Sequence, residues 1–202
     1  MKKIFLIAVL LVVAFVVYWF KFRADDNTEG PKQVALKVGK HSQAFNSSID
    51  SLVYAYLEIK NAFVEADSLK AKQAGNGFIA FLSKVNIDEL KKDTTSIFET
   101  ASGFLNDVKA SAEGMGKGQT ITDMRQDFKS ISDNMYPFLR AIHYEGKKLY
   151  WQICPMAFGE DKPANWISNT EEIVNPYMGK NHPEYKSSML HCGEVQDTIK
   201  AQ

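Results

Sequence analysis

The chain has 202 residues, 45% of them hydrophobic, and its 24 Lys and Arg are matched by 24 Asp and Glu for a formal net charge of zero. That balance argues against a nucleic-acid binder, whose phosphate partners demand a basic face, and against strong adhesion to anionic lipid through charge. The 13 Phe and 8 Tyr supply enough apolar surface for a core and argue against wholesale disorder.

Residues 4–20 form an unbroken apolar run behind Lys2 and Lys3. As a helix this run spans about 25 Å, near the lower limit for a hydrocarbon core of about 30 Å. Tyr18, Trp19 and Phe20 fall where an aromatic belt meets the headgroups, and Lys21 and Arg23 follow to snorkel outward. Bulky aromatics stand where a cleavable signal would carry small residues, so the run reads as an uncleaved anchor at residues 1–23, with no cysteine after it to take a lipid. The expected topology puts the N-terminus inside and the domain outside, in the periplasm at the cytoplasmic (inner) membrane. Residues 24–42 are polar and turn-rich and read as a spacer, leaving residues 43–200 as the domain.

Across residues 44–66, Phe45, Ile49, Leu52, Val53, Tyr56 and Phe63 recur at helical spacing and predict a first amphipathic helix. Asp67 and Ser68 offer capping oxygens for a second, to about Val85, with Phe78, Phe81, Leu82 and Val85 inward and Gly75 and Gly77 weakening its centre. Asp88 can cap a third helix, to about Ala112, that uses Leu90, Ile97, Phe98, Ala101, Leu105 and Val108, and the glycine-rich residues 113–118 end it. Ile121, Met124, Phe128, Ile131, Met135, Phe138 and Ile142 then step at heptad spacing through a fourth, with Pro137 as a potential kink. The expected fold is therefore mainly α, an up-and-down four-helix bundle preceded by one transmembrane helix. Inward Glu-x-x-His pairs are missing, so the bundle reads as scaffold rather than a di-metal site.

After Gly146 the helical period stops, and aromatic and β-preferring residues predict a short strand within an irregular C-terminal segment. In an extended chain Cys154 and Met156 would share a face across Pro155. Met189, His191 and Cys192 form a second cluster: one helical turn would align Met189 with Cys192, and an extended chain would align Met189 with His191. Thiolate, thioether and imidazole together suit a copper ion better than zinc, so Cys154, Met156, Met189, His191 and Cys192 are the candidate metal ligands. Met178, His182, His41 and His143 add donors that no spacing ties to them. The motifs H-E-x-x-H, G-x-S-x-G, G-x-x-x-x-G-K and Cys-x-x-Cys are missing, so nothing points to an enzyme.

The two cysteines have three readings. A disulfide would close a loop of about 38 residues, worth about 4 kcal/mol in the chain-entropy model. Alternatively the thiols ligate metal, or they are unconnected. Trp151, Trp166 and the Asn175-Pro176-Tyr177 turn read as packing that fixes the C-terminal segment on the helices.

The ordered series of residues 150–158 (containing Cys-Pro-Met), 165–168, 172–179 (containing Asn-Pro-Tyr) and 189–195 (containing His-Cys-Gly) resembles a family, the domain of unknown function numbered three-three-four-seven. That domain is seen in exported bacterial proteins and at the C-termini of copper and silver efflux adaptors. The resemblance extends over about residues 43–199 and implies a periplasmic helical domain associated with heavy-metal handling, with efflux-complex proteins as partners. The chain departs from the family by an extra stretch at residues 180–186, so the resemblance sets no distance between the two sulfur clusters.

Overall fold

Helix α1 (Gln43–Val64) starts where the Ser42 side chain accepts the Phe45 N–H. The computed structural model describes residues 15, 18, 40–93 and 96–200. All six residues assigned to the inner face of α1 are buried. Helix α2 (Ser68–Leu82) is capped by Asp67, which accepts the Lys70 N–H. Phe78 and Leu82 point inward, whereas Phe81 is 36% exposed and lies on the outer side, contrary to its assignment to the core.

The third helix differs most from expectation. Asp88–Lys92 is a short 3-10 helix with no side-chain cap, which still buries Leu90. Helix α3 begins at Ile97 and continues to Lys117, straight through Gly114 and Gly116. Tertiary packing overrides the poor helix propensity of those glycines. Met115 between them is fully buried, and a Cβ added to Gly75 of α2 would come within 2.3 Å of its Cε. Gly75 therefore opens the gap that Met115 fills, where the sequence suggested only a weak point in α2. Helix α4 (Ile121–Ala141) carries a full capping box between Thr120 and Asp123 and continues past Pro137. Its seam residues Met124, Phe128, Ile131, Met135 and Phe138 are all buried. Each helix packs on the next in sequence.

The C-terminal segment is more regular than expected. Strand β1 (Leu149–Cys154) lies between β2 (Ala164–Ser168) and β3 (Glu194–Ile199) in an antiparallel sheet of order β2-β1-β3. Only β1 was anticipated. Strand β2 lies on α4, and Trp151 of β1 stacks on Tyr136 of α4 at 4.3 Å. Asp197 of β3 accepts from both Tyr136 and Arg140 of α4.

One phenol ties the helices to the sheet. Tyr56 of α1 is fully buried, shares a 2.6 Å hydrogen bond with Ser132 of α4, and accepts the Ile167 N–H of β2 at 3.0 Å. Its ring stacks on Phe128 at 5.1 Å. Burial raises the phenol far above the ordinary tyrosine range, which keeps it a neutral donor and acceptor.

Leu36–Gln202 is one compact unit and Met1–Ala35 another. Of the latter only Phe15 and Tyr18 are described, both helical and exposed. The rest of the expected anchor and the spacer as far as Gly39 lie outside the described residues. Among the described residues no helix is long and apolar enough to cross a membrane.

Tyr56→Phe keeps the ring and strands a buried N–H on β2. It should lower unfolding free energy by about 1–3 kcal/mol with unchanged helical content, read by denaturant titration followed by circular dichroism.

Candidate functional site

Strand β1 delivers Cys154 to the interior at its last residue, where the side chain is fully buried. Cys192 arrives from the turn that precedes β3, half-buried against the core. The two sulfurs lie 3.4 Å apart, and both cysteines are free thiols in hydrogen-bond contact. Burial pushes the Cys192 thiol up to about 11, and the neighbouring Cys154 thiol adds to the shift. The Cys192 thiol is therefore neutral through the physiological range.

Two local features bring Cys192 here. Asn175 is fully buried: its side-chain N–H donates to the Cys192 carbonyl at 2.8 Å, and its side-chain oxygen accepts the N–H groups of Tyr177 (2.8 Å) and Met178 (3.1 Å). Its backbone N–H donates to Leu190 at 2.8 Å, so a single residue pins the turn at both ends. Gly193 then passes beside β1 with φ +138°, where an added Cβ would lie 2.3 Å from the Ile153 carbonyl oxygen. Only glycine fits that approach.

The other expected ligands divide. The Cys192 N–H donates to the Met189 carbonyl at 3.0 Å, so the two belong to one turn, which is neither a helix nor an extended strand. His191 is exposed, and its Nδ1 donates to the Ile173 carbonyl at 2.7 Å. Among the described residues no group of three or more His, Cys, Asp and Glu is placed to hold a metal ion, so His191 does not join the thiols as a third such donor. Met156 lies in a turn rather than an extended chain, because the strand ends at Cys154. The alternation that put it on the face of Cys154 therefore lapses, and Met156 lines a separate cavity with Met178 and His182. His41 is engaged elsewhere, between Glu89 and the Ile142 carbonyl.

Sequence reasoning missed Arg125 and Gln152 and read Asn175 only as part of a turn. Gln152, fully buried on β1, donates to the carbonyls of Thr170, Glu171 and Glu172 and so supports the loop after β2. A lone polar residue among apolar ones in β1 was the available signal.

Residues 52–147 match the family model described as a protein of unknown function (DUF3347). It is the family that the four C-terminal motifs resemble, and the match lies on the helices and stops short of β1 and both cysteines. No curated protein and no solved structure matches the chain.

Asn175→Ala removes three hydrogen bonds at a buried position. We expect a loss of about 2–4 kcal/mol in stability and about tenfold faster alkylation of Cys192 in the native protein, read by mass spectrometry.

Proposed function

We propose that this chain is a non-catalytic domain anchored in the inner membrane by residues 4–20, with residues 43–200 on the periplasmic side as an up-and-down four-helix bundle. Its C-terminal segment binds a soft metal ion, copper(I), through Cys154 and Cys192. The observation that carries this reading is the 3.4 Å between the two unbridged sulfurs. Two sulfurs sharing one ion at bonds of about 2.3 Å lie about 3.7 Å apart, so an entering ion parts the pair only slightly. Met189, in the same turn as Cys192, supplies the thioether that favours copper(I) over zinc. Met156 and His191 complete the set read from the sequence and need a shift of their turns to join it. Efflux-complex proteins are the partners that such a carrier implies.

A second reading is a docking or structural module in which the cysteines close a disulfide. The 3.4 Å approach of the two sulfurs supports this reading too: an oxidant of the periplasmic compartment takes two electrons as the S–S bond forms and both thiol protons leave to solvent. Closing the bond draws the sulfurs in to about 2.05 Å.

Copper(I) titrated into the reduced full chain in nonionic detergent, against a chromophoric chelator, should bind at one equivalent. Cys154→Ala and Cys192→Ala should each weaken it about a hundredfold, and Met189→Leu about tenfold. Because burial holds the Cys192 thiol protonated near neutrality and an ion bound there displaces that proton, affinity should rise with pH, by about tenfold per unit from this thiol. No binding to the reduced chain, together with no titratable thiol in protein taken from its native compartment, would leave the second reading.

A further inference from the structure

A second site lies apart from the thiol pair and does not rest on the copper reading. A cavity of about 320 Å³ opens between the start of α4, the turn after β1, the turn at residues 176–178 and residues 182–185. The last of these belong to the extra stretch at residues 180–186, which forms a small hairpin: His182 and Lys186 exchange backbone hydrogen bonds, and the His182 ring stacks on Tyr185 at 5.0 Å. The stretch that departs from the resembled family thus builds one wall of the cavity.

Arg125 lines this cavity and is only 5% exposed. Its Nε donates to the Pro176 carbonyl at 3.0 Å and its Nη2 to the Phe63 carbonyl at 3.1 Å. Two of five N–H donors are thereby used, both on the Nε edge, while no protein acceptor meets Nη1 among the described residues. None of the ion pairs among the described residues includes this guanidinium. A buried cation without a counter-charge is costly, and carbonyls neutralise nothing. Burial pushes Arg125 down to about 10, and His182, lowered first by its own burial, is lowered further by the charge of Arg125. Glu184 is the only carboxylate of the lining; it is exposed and forms no ion pair with Arg125.

The remaining walls decide the class of ligand. Met156, Phe158 and Met178 give the cavity an apolar side, Thr122, Gln126 and Tyr185 add uncharged polar groups, and Arg125 is its one permanent cation. A phosphate dianion would bring two negative charges to that one cation, with the Glu184 carboxylate in the same lining, whereas a monoanion balances it. A carboxylate matches the paired donors of that end with its two oxygens. We infer that the cavity is a binding site for a small organic monocarboxylate, its carboxylate on the Nη1 side of Arg125 and its apolar body against Met156 and Phe158.

Benzoate is a suitable probe, benzamide its neutral isostere, and inorganic phosphate the anion control. In the unaltered full chain in nonionic detergent, benzoate should shift the His182 ring proton signals saturably, at least tenfold more tightly than benzamide or phosphate. Arg125→Lys should weaken benzoate about tenfold and Arg125→Met should abolish saturation, with folding checked by circular dichroism. Benzamide binding as well as benzoate, phosphate binding as tightly, or no saturable shift in the unaltered protein would each overturn the assignment. The unaltered-protein titration decides the matter even if both variants misfold, and copper binding at the thiols is not part of the readout.

Discussion

The Tyr56 hydroxyl is the point on which the arrangement of sheet and helices turns. A phenol buried among α1, α4 and β2 accepts the Ile167 N–H and bonds Ser132, so it leaves neither partner unsatisfied. Buried polar groups of this kind stabilise modestly when paired and cost heavily when not, which makes one packing of sheet on helices much better than its neighbours. With β2 held there, its pairing with β1 fixes where Cys154 enters the core, and the β1–β3 pairing fixes where the chain returns past Gly193. Asn175 adds the last constraint by holding the carbonyl of Cys192. The separation of the sulfurs is thus a consequence of hydrogen bonds made by neither of them.

The two candidate sites have opposite electrostatic character. The Cys192 thiol is neutral, and its raised acidity constant means that the folded state favours the protonated form. Its contribution to stability is full below the ordinary thiol value of 9.0 and is lost as pH rises toward about 11. The cavity beside Arg125 is cationic instead, which disfavours a metal cation there although Met156, Met178 and His182 all line it. Soft-ligand inventory alone would have joined the two places. Tyr177 separates their roles: it lines the cavity, packs on Phe158 and Trp166, and donates its hydroxyl to the Asn165 carbonyl at 2.5 Å.

Much of the helical half was legible because its seams repeat. In α1 and α4 nearly every residue at helical spacing is buried, and the cap read at Asp67 coincides with the start of α2, whereas the caps at Ser42 and Thr120 went unread. Failures came where tertiary packing overrode local preference. Gly114 and Gly116 stay helical because Met115 needs its place against Gly75, and Phe81, three residues after Phe78, faces outward. Asp88 looks like a cap in sequence, yet it opens only a 3-10 helix. Strand β3, Glu-Val-Gln-Asp-Thr-Ile, is a largely polar edge strand that carries no strong apolar alternation to read. Both sulfur clusters were visible as clusters. Their approach was not, because it depends on a buried amide at Asn175 that in sequence is an ordinary turn residue, and Arg125 gave no signal beside the seam of α4.

The central claim is that Cys154 and Cys192 together ligate copper(I). X-ray absorption at the copper edge, on the full chain loaded with one equivalent under reducing conditions, tests it most directly. The account predicts a first shell containing at least two sulfur scatterers, reduced by one in Cys192→Ala. A shell of nitrogen and oxygen alone, or one unchanged by that substitution, would contradict it.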